Sequence, residues 1–433
     1  MKRTLLSAAM LASCSLPSFA ADLKATLAPT IHQLMPQVID WRRDIHTHPE
    51  LSNSEVRTSK LVADELKALG LEVRTGIAHH GVVGILKGGQ PGPVVALRAD
   101  MDALPVKEQT GLPFASKVTA TFNGEQVGVM HACGHDAHTA MLLGVAKALS
   151  SIRAQIPGTV MFVFQPAEEG APPGEEGGAA LMLKEGVFNN PKPDAIFGLH
   201  VWPMEAGKIY VRPEGTMAAS DRFEVHIKGK QTHGSSPWRG VDPITVTGSM
   251  IEALELIPSR QVDVTQAPAV ISIGQVKSGI RFNIIPDDAT LVGTIRTFDE
   301  GMRQDIINKM QRTVTHVAQA AGATATLSVK SGAAVTWNDA KLTDWAAPTL
   351  AWAAGKEGVG TIKPITGAED FSYFQQNVPG VFFFLGVAPD GVPLDQVAAN
   401  HSPHFIVNEK GLENGVRALS GLALDYLQSP PKS

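Results

Sequence analysis

The sequence predicts an α/β fold in which a mostly parallel central sheet, flanked by helices, carries an inserted ferredoxin-like βαββαβ domain. Short apolar runs rich in Val, Ile, Leu and Phe alternate with segments of helical periodicity, which is typical of parallel sheets covered on both faces. Residues 214–330 show the element order β-α-β-β-α-β. The length of 433 residues is too great for one ordinary core, so two domains are expected.

Two amphipathic patterns open the chain and predict helices over 30–46 and 54–69. The second pattern ends at Gly70, a residue type common just after a helix. The apolar runs that follow predict four strands, with helical patterns between the later ones: strands at 82–87, 93–99, 159–165 and 194–201, and helices at 137–150 and 177–186. We assign this alternation to the first part of a larger domain, which covers residues 22–213.

The inserted unit begins with residues 223–228, which alternate apolar and polar side chains as a half-buried strand does. It continues through helix 243–257, strands 269–276 and 289–297, helix 301–321 and strand 323–330. The α/β character then returns with helix 341–354, strand 361–365, helix 369–376, strand 381–387 and helix 408–427. We therefore predict an inserted domain at 214–330, with the larger domain resuming at 331–433.

The composition excludes several classes of protein. Hydrophobic residues make up 44% and charged residues 18%, which is typical of a globular chain. The formal net charge is −5 and no basic run occurs, so nucleic acid is not an expected partner. No uninterrupted apolar stretch reaches the roughly 18 residues of a membrane span, so none is expected.

The N-terminus has the composition of an export signal. Lys2 and Arg3 precede a short, mostly apolar segment at 4–16, and small residues at Ser18 and Ala20 precede the expected cleavage point. We predict a signal peptide at 1–20 and a periplasmic or secreted protein. Two alternatives stay open: a buried N-terminal helix, and lipid attachment at Cys14, where the preceding residues resemble a bacterial lipobox.

Residues 131–138 hold three histidines, one cysteine and one aspartate, a density of metal-binding side chains that chance rarely gives. Cys133 has no disulfide partner once Cys14 leaves with the signal or is lipidated. A free thiol is a liability in an oxidising compartment, and binding a metal as thiolate would protect it. The alternative for Cys133 is burial as a small hydrophobic side chain.

Three predicted strands run directly into metal-binding or acid–base side chains. The side chains are Asp100 and Asp102 after strand 93–99, Glu168 and Glu169 after strand 159–165, and His200 at the end of strand 194–201. Open α/β sheets build their sites at the carboxyl ends of their strands. Three strand ends that deliver such groups indicate a common site, and the chemistry indicates a metal-assisted hydrolase.

Seven segments resemble those of the dinuclear metallo-amidohydrolases, a family that includes hippurate hydrolases, N-acyl-amino-acid amidohydrolases (aminoacylases) and indole-acetyl-amino-acid hydrolases. They are RRDIHTHPE (42–50), RADMDALP (98–105), HACGHDAH (131–138), QPAEE (165–169), GLH (198–200), GAEDF (367–371) and HSPHF (401–405). The resemblance covers nearly the whole mature chain. It implies a small N-acyl amino acid as substrate and makes residues 22–213 and 331–433 a catalytic, metal-binding domain. It also implies that the inserted domain at 214–330 acts as lid and interface of a homodimer.

The resemblance also implies five protein ligands for two divalent metal ions: Cys133, His135, Glu169, His200 and His401. Thiolate and imidazole suit zinc, nickel or cobalt, and carboxylate also suits manganese, so the identity of the metal stays open. His404 competes with His401 for the last position. Relatives place a metal histidine where this chain has Asp100, so Cys133 and its neighbours must complete the site differently.

Five further residues are predicted to act on the substrate or on the ligands. The resemblance makes Glu168 the general base, which takes a proton from the attacking water and returns it to the leaving amine. Asp102 is expected to orient a ligand. His233 resembles a histidine that reaches across the dimer interface to the partner's oxyanion. Asn283 is expected to contact substrate, and Arg296 or Arg281 to pair with an α-carboxylate.

Three other functions stay open at this point. A metallo-carboxypeptidase or dipeptidase would use the same site. Cys133 could act as a nucleophile with His135 as its base, although only one residue separates them and the carboxylates would go unexplained. The chain could also be a non-catalytic periplasmic binder of a metal or solute.

Overall fold

The computed structural model describes residues 19–431, so the predicted signal peptide lies outside the described residues except for its last two positions, and Cys14 lies outside them. From residue 19 to the middle of the chain, the described residues form four α-helices and eight strands. They are α1 (Phe19–Thr47), α2 (Val56–Ala68), β1 (Glu72–Ile77), β2 (Gly81–Lys87), β3 (Gln90–Asp100), β4 (Thr119–Phe122), β5 (Glu125–Gly128), α3 (His135–Ser151), β6 (Pro157–Gln165), α4 (Gly178–Lys184), β7 (Ala195–Trp202) and β8 (Ile209–Val211).

The second half contains the inserted unit and the return to the larger one. Its elements are β9 (Glu214–Met217), β10 (Ala219–Lys228), β11 (Thr232–His233), α5 (Pro243–Arg260), β12 (Ala269–Ser278), β13 (Ile284–Ile285), β14 (Asp288–Thr297), α6 (Glu300–Ala320), β15 (Thr324–Ser331), β16 (Thr336–Asn338), α7 (Ala340–Ala354), β17 (Val359–Thr361), α8 (Phe371–Gln375), β18 (Gly380–Gly386) and α9 (Leu412–Gln428). Within residues 19–431, no helix combines the length and the apolar character that crossing a membrane requires.

The central sheet has eight strands in the order β1-β2-β6-β3-β7-β18-β8-β17. Its middle is parallel, because β3 runs alongside both β6 and β7, and β7 runs alongside β18. Antiparallel pairs occur where β2 meets β1 and β6, and where β18 meets β8. The predicted fold class is therefore confirmed, and the parallel strands β3, β6 and β7 end at the same edge of the sheet.

Both faces of this sheet are buried, which explains why its strands have continuous apolar runs. Alternate residues face opposite sides, so Leu97 and Phe197 belong to one core and Ala96 and Ile196 to the other. Helices α1, α3, α7 and α9 cover the first face, and the shorter α4 and α8 cover the second. Helix α3 is buried from His135 through Ala146, so the segment that follows Cys133 is held firmly.

The inserted unit, which we call the lid, is a four-stranded antiparallel sheet in the order β12-β14-β10-β15. Helices α5 and α6 cover one face, where apolar residues of β10 such as Phe223, Val225 and Ile227 are buried. The opposite face is polar and carries the alternate residues. Strands β9 and β16 pair with each other, so the two segments that connect the lid to the central sheet lie side by side. The exact bounds 214–330 stay a prediction.

The sequence placed several boundaries wrongly. Helix α1 already includes Phe19, the first described residue, and not only residues from 30 onward, because Leu23 and Leu27 continue the buried stripe and Pro29 does not interrupt the helix. Strand β17 covers Val359–Thr361 instead of 361–365. The edge strand β1 was not predicted, because its residues are exposed or half-buried and show no apolar alternation.

Candidate metal centre

The carboxyl ends of β3, β6 and β7 bring together the side chains that the sequence places after those strands. Helix α3 begins beside them at His135, after Gly134, whose φ is +90°. A Cβ on Gly134 would lie 2.2 Å from Cγ2 of Val201, so only glycine permits this approach of α3 to β7. The approach places Cys133 and His135, on either side of Gly134, at the end of the sheet.

The five predicted ligands converge in this structure. Cys133 Sγ lies 3.4 Å from His200 Nε2 and 3.3 Å from His401 Nε2. Glu169 Oε1 lies 3.1 Å from His401 Nε2 and 3.9 Å from His135 Nε2. Ligand atoms of Cys133, His135 and His200 all lie within 4.8 Å of one another, as do those of Cys133, Glu169 and His401. The two groups, each of which could hold a metal ion, share Cys133.

Two buried atoms of this cluster test whether the residues fit metal ions. Both atoms are buried: His135 Nε2 has no hydrogen-bond partner among the described residues, and Glu169 Oε1 has two other predicted ligands beside it, His401 Nε2 at 3.1 Å and His135 Nε2 at 3.9 Å. An unpaired buried polar atom is costly, and native structures satisfy nearly all of them with a hydrogen bond or an ion. A thiol, three imidazoles and a carboxylate together form a donor set for borderline divalent cations. The residues therefore fit such ions.

Asp102 lies behind the cluster and positions it. Its Oδ1 accepts a hydrogen bond from the backbone N–H of Glu168 at 3.1 Å and lies 3.3 Å from Nδ1 of His135. Its Oδ2 accepts from the backbone N–H of Glu169 at 3.0 Å and from Oγ of Ser52 at 2.7 Å. With Nδ1 held by Asp102, the Nε2 atom of His135 faces the cluster. Asp102 does not line the cavity, so it acts through other residues.

The neighbouring histidines are engaged elsewhere. His138 Nδ1 lies 2.6 Å from Asp100 Oδ1, and His138 Nε2 accepts a hydrogen bond from the backbone N–H of Val201 at 2.8 Å. His404 is exposed, and its Nδ1 lies 3.0 Å from the carbonyl oxygen of Gln109. The structure thus places His401, and not His404, beside Cys133. His401 has a φ of +69°, a conformation that is uncommon outside glycine and that clusters at functional sites.

Glu168 lines the same cavity, and its carboxylate is largely buried. Burial and the nearby carboxylates of Glu369 and Glu169 raise the pKa of Glu168 well above its usual range. A carboxylate with raised proton affinity is suited to accept and return a proton near neutral pH. Ala167, directly before it, has a φ of +52°, which turns the chain sharply at the end of β6.

A buried arginine neutralises the carboxylates beneath the site. Arg98 is fully buried and contacts Asp100 at 2.7 Å, Glu369 at 2.8 Å and Asp370 at 3.2 Å. Asp370 also accepts a hydrogen bond from the backbone N–H of Ala179 at 2.7 Å. These acids therefore have partners within the protein. The motif that contains Glu369 and Asp370 predicts no role for either acid, because their pairing with Arg98, more than 270 positions away, leaves no local pattern in the sequence.

A cavity of about 840 Å³ opens between the sheet edge and the lid. One part of its wall consists of predicted ligands and the predicted base: Cys133, Glu168, Glu169, His200 and His401. Another part comes from the lid and the segment that follows it: Ser220, Arg296, Lys330 and Ala333. Trp202, Met217 and Tyr373 also line the cavity. Its size is in the range of small-molecule sites. Of the two arginines considered for substrate, Arg296 lines this cavity and Arg281 does not.

His233 and Asn283 lie together but away from this cavity. They belong to β11 and to the turn before β13, which pair with each other, and the backbone N–H of Gly234 donates to the carbonyl oxygen of Asn283 at 2.9 Å. The His233 ring is exposed, and its Nδ1 accepts from the backbone N–H of Ser235 at 3.0 Å. The two residues are thus neighbours on the lid, as part of one small surface.

Comparison with known proteins places the chain in a family. The model of peptidase family M20/M25/M40 matches residues 96–425. The chain belongs to this family. Thermostable carboxypeptidase 1 of Saccharolobus solfataricus is 40% identical to this M20 protein over 94% of the chain and 99% of the relative. N-acetylcysteine deacetylase of Bacillus subtilis is 38% identical over 91% and 97%.

A solved structure shares the fold of this M20 protein. It is the Bacillus subtilis YXEP protein, described as a dinuclear metal binding peptidase from the M20 family, with a TM-score of 0.76 and 37% identity over 92% of this chain and 99% of the other. The family and the named relatives show that the protein is a hydrolase of the amidohydrolase and peptidase type. The roles of its individual side chains stay predictions.

Metal binding by this M20 protein is expected to strengthen steeply as pH rises. Burial alone would lower the pKa of His135, but the Asp100 and Asp102 carboxylates raise it to about 10. Burial and the neighbouring Glu169 and Glu168 raise the pKa of Cys133 well above its usual range. Both groups are thus protonated near pH 7 in the metal-free protein, whereas a metal takes the neutral imidazole and the thiolate.

A competition titration with a chelator of known pH dependence, run between about pH 6 and pH 7.5, measures this effect. Because the wild type would release two protons when it binds a metal, its metal affinity should rise by up to about 100-fold per pH unit. The Cys133→Ser variant would release only the proton of His135, so its metal affinity should rise by up to about tenfold per pH unit. An affinity that does not change with pH would contradict the assignment of both groups.

Proposed function

We propose that the protein is a dinuclear, metal-dependent amidohydrolase that cleaves small N-acyl amino acids. The observation that carries the proposal is the buried and unpartnered His135 Nε2, which lies with Cys133 and Glu169 beside the largely buried Glu168. A set of ligand atoms next to a carboxylate of raised proton affinity is the arrangement that metal-assisted hydrolysis requires. Zinc, manganese, nickel and cobalt each suit this set of thiolate, imidazole and carboxylate donors.

The proposed ligands fall into two groups that share one side chain. Cys133, His135 and His200 would hold one ion, and Cys133, Glu169 and His401 would hold the other, so Cys133 belongs to both groups. Divalent ions held there lower the pKa of water and polarise an amide carbonyl. Glu168 takes the proton of the attacking water on its carboxylate. Glu168 then gives this proton to the leaving amine nitrogen, which makes it the base and the acid of one cycle.

The substrate class follows from Arg296 at the lid end of the cavity. Arg296 makes no hydrogen bond or ion pair with any described residue, and a guanidinium matches a carboxylate bidentately. We assign it to the α-carboxylate of the amino acid that leaves. A carboxypeptidase is a second candidate, since its substrate also has an amide bond next to an amino acid with a free carboxylate, and one relative carries that name.

Two alternatives from the sequence receive less support. A nucleophilic cysteine needs a lowered pKa, whereas burial and two glutamates raise the pKa of Cys133. A non-catalytic binder would have no use for Glu168, a carboxylate that lines the cavity, makes no side-chain hydrogen bond with any described residue and lies 3.9 Å from His135 Nε2.

We further propose that the protein is exported and acts as a homodimer whose lids meet. Strand β12 is an edge strand that pairs only with β14. Two large apolar side chains near His233 and Asn283 are exposed: Trp238 to 77% and Phe282 to 96%. Such apolar exposure favours contact with a partner. In this arrangement His233 and Asn283 complete the partner's site, which explains why they lie outside the cavity of their own chain. Export rests on residues 1–20 alone.

Replacing Glu168 with Gln is expected to lower kcat for N-acetyl amino acids by about 10²–10⁴-fold, because the amide cannot accept the proton of water. Metal content should stay at that of the wild type, since the proposed ligands are untouched. The matched control is Glu175→Gln, on the same loop but outside the cavity, where Glu175 only accepts a hydrogen bond from Asn53. A Glu168→Gln variant that keeps full activity would exclude this residue as the base.

Complementation tests whether His233 acts on the partner. His233→Ala and Glu168→Gln are each expected to be nearly inactive alone. After the two variants are unfolded together and refolded, a mixed dimer has one site with both Glu168 and the partner's His233. Since half of the dimers are mixed and each has one complete site of two, activity should recover to about a quarter of the wild type. If the mixture stays inactive while mixed dimers are present, His233 does not act across the interface.

A further inference from the structure

The end of the cavity farthest from Cys133 is formed by the open face of the lid sheet. Three residues of adjacent strands line it: Ser220 of β10, Arg296 of β14 and Lys330 of β15. Ser220 lies directly opposite Arg296 in the register, and Lys330 lies opposite Arg222, the next residue of β10 on the same face. With strands about 4.8 Å apart, the backbones of Arg296 and Lys330 lie on the order of 10 Å from each other, on either side of Ser220.

Neither of these cations has a hydrogen-bond or ion-pair partner in the part of the chain that the structure describes. No hydrogen bond or ion pair joins Arg296 or Lys330 to any residue of 19–431, whereas the neighbouring Arg222 pairs with Glu224 at 3.3 Å. Asp221, between Ser220 and Arg222, points to the other face, where Arg303 binds it at 2.6 Å. Asp221 still raises the pKa of Arg296 as a nearby charge, but the lid end of the cavity presents two positive charges that form no ion pair with an acid among residues 19–431.

The acids on the opposite wall do not neutralise these cations either. Glu369 and Asp370 line the cavity, but both bind the buried Arg98. Arg296 is half-buried, and burial lowers its pKa, so its charge is held at a cost that an incoming anion would offset. A guanidinium offers a planar pair of donors and an ammonium offers a point charge, so the two are suited to two separate anionic groups.

We propose that the preferred substrates carry two carboxylates, of which Arg296 binds the α-carboxylate and Lys330, with Ser220, binds the second. This inference rests on the proposed function and narrows its substrate to dianionic N-acyl amino acids. The second carboxylate belongs either to the side chain of an acidic amino acid or to the far end of the acyl group. The side chain of an acidic amino acid fits better, because it belongs to the same residue as the α-carboxylate and because Arg296 and Lys330 lie on the same face of one sheet.

Matched pairs of substrates test the proposal with the metal-loaded protein. One pair is N-acetyl-glutamate and N-acetyl-glutamine, and the other is N-succinyl-leucine and its terminal amide. In each pair the two members have nearly the same shape and differ by one charge. The wild type should show a kcat/KM about tenfold or more higher for the charged member of one pair, as expected for one charge-assisted contact. The pair that responds identifies the source of the second carboxylate.

Lys330→Gln should reduce this preference to about one. The matched control is Lys277→Gln, an exposed lysine of the lid that lies outside the cavity, and it should keep the preference of the wild type. A wild type that hydrolyses both members of both pairs equally would overturn the inference and leave the proposed function in place. A preference that survives Lys330→Gln would also overturn it.

Calorimetry with the Glu168→Gln protein gives a measurement that does not depend on turnover. It should bind the charged member of the responding pair about tenfold more tightly than the neutral one, and addition of Lys330→Gln should remove the difference. If the wild type hydrolyses none of the four compounds, the proposed function fails, whereas tighter binding of a charged member would still support the two-cation site. Equal binding within both pairs would overturn it.

Discussion

The candidate metal centre depends on the Asp102 carboxylate, which joins its own segment, directly after β3, to three other segments of the chain. It accepts hydrogen bonds from the backbone of Glu168 and Glu169, it faces Nδ1 of His135, and Ser52 binds it from a fourth segment. The end of β6 and the start of α3 are therefore positioned by one buried side chain at the end of β3. The proposed base and two proposed ligands cannot shift independently of one another, which is the preorganisation that a catalytic site requires.

Charge is the second constraint on the site. Several carboxylates are buried at one end of the sheet, and such a cluster would be costly without a cation. Arg98 compensates for Asp100, Glu369 and Asp370, and Glu168 is the acid of the cavity left to exchange a proton. The lid contributes charge of opposite sign at the far end of the cavity, so the cavity has a catalytic end and a cationic end.

Much of the fold was predictable because strands buried on both faces have long apolar runs, as in 159–165. The exposed edge strand β1 has no such pattern and was missed. The proposed ligands were found because each lies at a strand end or within a family motif. Lys330 was not found, because the whole open face of the lid sheet is polar and its alternation does not separate cavity residues from solvent-exposed ones. The role of Asp102 depends on backbone N–H directions, which no sequence pattern reveals.

The central claim is that side chains from residues 133 to 401 surround two cations with Cys133 between them. A crystal structure of the zinc-loaded protein with anomalous diffraction measured at the zinc edge tests this claim most directly. Two peaks roughly 3.5–4 Å apart, each about 2.3 Å from Cys133 Sγ, are expected. A single peak, or two peaks of which neither contacts Cys133, would contradict the account.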